Sequence, residues 1–343
     1  MFGGLFDTSV RLYMGAAYMK LVVTIDTEED QWGRYAVDGH TLNNISQIAR
    51  LQELFDEFAV IPTYLITYPV ATDKTSVSSF SEILQSGRCE IGMHCHPWNT
   101  PPYGEAMTER NSMLCNLSAE LQKEKLTQLH GAIVESFGIA PVSFRAGRWG
   151  YGKHAAASLH ALGYKVDTSV LPFVDWSSQY GPNFSDADPA PYRFHYDDIL
   201  SVRSSGPMLE VPATIGFAGL TSSSFEKANR VHHLLTRPPY NLLRAAGVLH
   251  RCGVLQKIWL SPENSTGDEM ITLARSMAQK GAQVLNLFFH SPTLQPGLTP
   301  FVRNESDKRE FMERIRMFLR FAVDAGFESI ALGSAPSVVC RPS

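Results

Sequence analysis

MKLVVTIDTEED, residues 19–30, is a run of apolar and β-branched residues that ends abruptly in acid, with Asp26, Glu28, Glu29 and Asp30 following Leu21 to Ile25. A run apolar on both faces reads as a strand buried in a parallel sheet, and acid at its C-terminal end lies where barrels keep their chemistry. Similar runs recur along the chain at Ile61–Thr67, Cys89–His94, Val142–Arg145, Lys165–Thr168, Leu209–Pro212, Lys257–Leu260 and Val284–His290, with a last one at Ser329–Leu332. Between them, Thr41–Phe58, Ser118–Phe137, Asp268–Gln279 and Ser306–Ala325 repeat apolar residues every three to four positions, the period of an amphipathic helix. Thr41 is the expected N-cap of the first. Strand and helix in alternation predict an α/β chain folded as a (β/α) barrel, distorted or incomplete.

Outward from this frame, 343 residues with 44% apolar and 19% charged side chains are enough for one large core with insertions. The formal net charge of −4 argues against broad electrostatic attraction to nucleic acid or anionic lipid, and no nucleic-acid partner is expected. No segment approaches the apolar length of a membrane span. The five cysteines form no CxxC pair, which favours a reducing compartment, and without a recognisable signal peptide the expected location is cytoplasmic. Residues 1–18 read as a poorly ordered extension, and residues 19–343 as one barrel domain. Insertions are expected at about 172–207, with a hairpin through Tyr192 to Arg203, and at about 222–251, as two helices parted by Pro238 and Pro239.

Polar residues collect at the ends of the predicted strands. In TIDTEED, alternation puts Asp26 and Glu28 on one face and Thr27 and Glu29 on the other, so one carboxylate can bind metal while the other handles a proton. The alternative is a solvated acidic loop. In IGMHCHPWN, His94 and His96 at i and i+2 point the same way and suit a shared ion, or else a hydrogen-bonded pair at a strand end. Cys95 between them faces the core. In SFRAGRWGYG, Arg145 and Arg148 can orient carboxylates, and backbone N–H groups near Trp149 can approach a substrate oxygen. Asp167 ends the fifth strand and His290 a late one. A histidine beside a carboxylate at a barrel mouth can act as a general acid. Trp98, Trp149 and Trp176 are candidates to stack on sugar rings.

Taken in this order, the pieces resemble the polysaccharide deacetylase superfamily, the NodB-homology group, over most of the chain from Met19 to about Leu332. The resemblance implies a distorted (β/α) barrel with loop and helical insertions and one divalent metal ion, often zinc. It implies Asp26 as catalytic base, His94 and His96 as metal-binding histidines, and Arg145 as the arginine that steadies the base. Asp167 and His290 resemble the late aspartate and the general-acid histidine. Thr27 stands where that family has a second aspartate, so Glu28 is expected to supply the metal carboxylate, with Glu29 and Asp30 as alternatives. The histidines are one residue apart rather than three, and the Arg145 turn is one residue longer, which marks a divergent branch. Asp167 is expected to hydrogen-bond His290, and Arg145 to pair with Asp26.

The implied reaction is removal of an acetyl group from an N-acetylated, less readily an O-acetylated, sugar in a polysaccharide or its precursor. Two other readings stand beside it. One is an amidohydrolase-type barrel acting on a small amide, which also uses His-x-His but on its first strand. The other is a catalytically silent carbohydrate-binding relative, against which Asp26 and His290 argue.

Overall fold

The computed structural model describes residues 19–219, 224–237 and 245–339. The expected extension at 1–18 and the Pro238-Pro239 break lie outside these residues. The strands are β1 (Lys20–Thr27), β2 (Thr63–Ile66), β3 (Glu90–Cys95), β4 (Ser143–Ala146), β5 (Val166–Asp167), β6 (Tyr192–Phe194), β7 (Met208–Glu210), β8 (Ile215–Ala218), β9 (Gln256–Trp259), β10 (Val284–His290) and β11 (Glu328–Ser329). One sheet runs in the order β10-β1-β2-β3-β4-β5-β7-β6, with β11 also paired to the start of β1. Every pairing in it is parallel except the β6–β7 hairpin.

β1 is buried from Leu21 to Thr27 because helices cover one face of the sheet and the barrel interior covers the other. The helix Ile48–Glu57 turns Ile48, Leu51, Leu54 and Phe55 inward, as its period requires, and Ala119–Phe137 turns Leu126, Leu129 and Ile133 inward. Ser118 caps the second through Leu121 N. Thr41 does not cap the first. The chain enters through a 3₁₀ turn, Asn43–Gln47, whose leading N–H groups at Asn43 and Asn44 are taken by the Asp30 carboxylate at 2.8 and 3.0 Å.

The second half extends one expectation and corrects another. The chain turns back on itself between Tyr192 and Arg203, with Arg203 N donating to Arg193 O at 2.7 Å, and Tyr192–Phe194 pairs in addition with Met208–Glu210. The run at Lys257–Leu260 is not a strand of the main sheet: β9 pairs antiparallel with β8, a strand that Gly216 and Gly219 disguise as a loop. Gly216 packs closely there: a Cβ on it would sit 2.8 Å from Leu273 Cδ1 on the helix Gly267–Gln279 and would push that side chain aside. The β8–β9 pair carries the second insertion, whose described parts are the helices Phe225–Leu235 and Ala245–Arg251.

This small sheet also fills the open seam between β7 and β10. Thr214 N donates to Asn286 O, Asn286 N to Thr214 Oγ1, Leu260 N to Thr214 O, and Phe288 N to Leu260 O. The barrel is therefore closed by main-chain bonds from an inserted unit rather than by an eighth regular strand. Trp259 and Glu263 are carried to the mouth by that closure.

Candidate active site

Register brings the strand ends together. Asp26 lies beside His290 across the β1–β10 pair, and His94 beside Arg145 across β3–β4. The curl of the sheet does the rest, since Arg145, fully buried, crosses the interior to donate to Asp26 Oδ1 at 2.6 Å, Thr24 Oγ1 at 2.8 Å and Thr168 O at 3.0 Å. Its guanidinium lies 4.8 Å from the centre of the Trp149 ring. Burial alone would push the Asp26 carboxyl up, but Arg145, His94 and His290 outweigh it and hold the group below the usual carboxylate range.

One carboxylate and two imidazoles converge next to Asp26. Glu28 Oε2 is 3.1 Å from His96 Nε2 and 3.4 Å from His94 Nε2. One ligand atom from each of these three residues falls within 4.8 Å of the others. The far side of each ring is held so that Nε2 faces inward: His94 Nδ1 donates to Arg145 O at 3.0 Å, and His96 Nδ1 to Glu29 Oε1 at 2.9 Å. A metal-binding histidine needs this arrangement, because the bonded Nδ1–H fixes the tautomer that leaves a lone pair on Nε2. The donor set is therefore one that fits a divalent cation of borderline hardness.

The alternative carboxylates are engaged elsewhere. Glu29 points to the opposite face, as alternation requires, where it takes His96 Nδ1, the Trp98 indole N–H at 3.2 Å and the Thr67 hydroxyl at 3.3 Å. Asp30 caps the turn at Asn43. Burial pushes Glu28 and Glu29 up, but His96 and its neighbours bring both below the ordinary value, while the two carboxylates raise His96 to about 10. Trp98 stacks on His96 with ring centres 4.1 Å apart, and a Cβ on Gly147 would lie 2.4 Å from His96 Cδ2, so a glycine is needed behind the ring. The segment after His96 is clamped by the buried Lys125, whose ammonium donates to the carbonyls of Pro97, Thr100 and Pro102 and pairs with Glu105 at 2.8 Å. Lys125 has no signal in the sequence beyond a lysine on the apolar side of a helix.

His290 has a different partner from the expected one. Its Nε2 lies 3.5 Å from Asp26 Oδ2, and its Nδ1 donates to Glu263 Oε2 at 2.9 Å. Glu263 also accepts the His290 backbone N–H at 3.0 Å and the Thr293 hydroxyl at 2.6 Å. Burial lowers His290, but Glu263 foremost, with Glu28 and Asp26, raises it to about 9. Asp167 does not reach it. That carboxylate accepts from Ser169 N at 3.0 Å and Ser169 Oγ at 2.8 Å and faces Glu210, below the mouth. Glu263 was detectable only as an acid following a strand end, in LSPEN.

Above these groups lies a cavity of about 370 Å³ lined by Asp26, Glu28, His94, His96 and His290 and by aromatic rings. Trp98, Trp149, Trp176 and Arg148 all line it. Trp98 and Trp149 are largely packed, 5% and 9% exposed, against His96 and Arg145. Arg148 and Trp149 take consecutive left-handed conformations, φ 53° and 61°, an uncommon arrangement for side-chain-bearing residues that turns both toward the cavity.

The architecture is a distorted (β/α) barrel of the kind that solved polysaccharide deacetylases have. No family model and no curated protein sequence matches the chain. Solved structures do. A candidate polysaccharide deacetylase from Mycobacterium smegmatis aligns over 96% of both chains at 15% identity with a TM-score of 0.50. A candidate glycoside hydrolase/deacetylase from Parabacteroides distasonis aligns over 94% of this chain and 70% of its own, at 12% identity and a TM-score of 0.56. The PuuE allantoinase aligns over 96% and 93%, at 11% identity and 0.53. At such identities the likeness is one of fold. Among the described residues no helix is long and apolar enough to cross a membrane.

Proposed function

We propose that the chain is a metal-dependent hydrolase that removes an acetyl group from an N-acetylated sugar, less readily an O-acetylated one. The observation that carries this is Asp26, held ionised by Arg145 and 3.5 Å from His290, directly beside the Glu28, His94 and His96 set. A divalent cation held by those three, zinc in our reading, would polarise the acyl carbonyl and lower the pKa of water. Asp26 is then the base for the attacking water, and Arg145 keeps it charged. His290, kept protonated near neutral pH by Glu263, gives its Nε2 proton to the departing nitrogen. Arg148, Trp98, Trp149 and Trp176 are assigned to the sugar. Asp167 is reassigned from the reacting groups to the support beneath Arg145.

The test measures bound metal and acetate release on the purified protein. Asp26→Asn should keep the metal and lose activity; His94→Ala should lose both. If Asp26→Asn strips the metal while His94→Ala retains it, the roles are reversed. A second reading, hydrolysis of a small cyclic amide, is favoured by the allantoinase of the same fold, and release of a ring-opened product from allantoin with no acetate from any sugar would establish it instead. A cytoplasmic location belongs to the same proposal, supported by the unpaired thiols of Cys89, Cys95, Cys115 and Cys252.

A further inference from the structure

All five tryptophans of the chain line the one cavity over Asp26. A core that used tryptophan only for packing would scatter it; gathering the whole complement at one mouth points to ring recognition. The cavity is also walled. The loop after β1 leans to both sides: the Trp32 ring lies 4.8 Å from His290 and 5.6 Å from Phe301, and the Tyr35 ring 5.0 Å from Trp98. From Tyr35 the wall continues across the gap, because the Arg148 guanidinium lies 4.9 Å from the Tyr35 ring centre and donates to Gln179 Oε1 at 3.3 Å. Gln179 belongs to the inserted segment that follows β5. A polymer lying through the site would need an exit at each end, and the Tyr35–Arg148–Gln179 bridge closes one.

Size agrees with shape. About 370 Å³ is at the low end of the roughly 300–1,000 Å³ typical of small-molecule sites, room for one substituted ring rather than a row of them.

From these observations we infer that the substrate is a single acylated sugar, free or at the end of a chain, and that internal units of a polymer are excluded by the Tyr35–Arg148–Gln179 bridge. The inference rests on the deacetylase reading above and narrows it. Both are tested together, with metal-loaded protein, N-acetylglucosamine, its reducing-end-labelled tetramer and colloidal chitin, by acetate release and by sequencing the deacetylated tetramer by mass spectrometry. Deacetylation confined to one terminal unit, with saturable quenching of tryptophan fluorescence by the monosaccharide, is the expected result. Arg148→Ala should lose that confinement and begin to release acetate from internal units. Deacetylation of internal units by the unaltered protein, or terminal confinement that survives in Arg148→Ala, would overturn the inference and leave the deacetylase reading standing. Silence on all three sugars in both assays would overturn the deacetylase reading itself.

Discussion

Asp26, Glu28 and Glu29 lie on one side of Arg145 and Asp167 and Glu210 on the other, all between 0% and 6% exposed, yet the two groups carry charge differently. Burial pushes every one of them toward the neutral acid. On the β1 side, Arg145, His94, His96 and His290 more than offset that push and the carboxylates stay ionised. On the β5–β7 side the two acids face each other, burial raises both, and Asp167 raises Glu210 further. Equal burial with opposite outcome shows that the partner, and not depth, decides whether a strand-end acid in this barrel can serve as a base.

The contrast can be broken most directly at its centre. Arg145→Met would leave Asp26 buried without its main cation, and loss of one partner of a buried pair typically costs about 3–5 kcal/mol. Urea unfolding at pH 7 should show a loss of that size; a variant as stable as the parent would mean that Asp26 is not held as described.

Asp26→Asn acts on chemistry rather than folding. Removal of a proton-transfer group should lower kcat by about two to four orders of magnitude at unchanged metal content, read from acetate release and metal analysis.

Glu263 and Asp167 can then be set against each other. Glu263→Gln removes the charge that raises His290 to about 9, so the alkaline limb of the kcat profile should move to lower pH. Asp167→Asn should leave that limb in place. A shift in the Asp167 variant and none in the Glu263 variant would restore the assignment first drawn from family resemblance.

The smallest effect belongs to Glu210→Gln. Because Glu210 is raised in the folded chain, the folded state keeps a proton that the unfolded chain releases, and stability falls as pH rises from the ordinary value of 4.5 toward the folded one. Glutamine keeps a donor and has no such dependence, so the variant should lie within about 1 kcal/mol of the parent at the acid end of that window and gain on it as pH rises. For the β1 acids the sign is opposite: their contribution is present above the usual carboxylate range and lost as pH falls through their lowered values.

Much of this was legible in residue order. The runs ending at Asp26, His94, Arg145 and His290 mark strands because apolar β-branched stretches have few other uses, and the acids and imidazoles at their ends mark the mouth. Alternation placed Glu28 with Asp26 and Glu29 opposite, and the Glu28, His94 and His96 set follows from it. Glu263 carries no comparable mark: it lies three residues past the Lys257–Leu260 run, and only the return of the β8–β9 pair to the seam brings it to His290. Asp167 too ends a strand, and nothing local distinguishes an acid that meets an imidazole from one that meets another acid.

By itself, then, the sequence determined the parallel sheet, the end of it that holds the chemistry, and the three side chains suited to a metal ion, because periods of two and 3.6 residues are local properties. Only the tertiary structure decided that Glu263 rather than Asp167 holds His290, that β8 and β9 close the seam, and that Arg148 spans the mouth from Tyr35 to Gln179. Those outcomes depend on how far the sheet curls and where an insertion returns to it, and curl accumulates over many residue pairs that no single stretch of chain encodes.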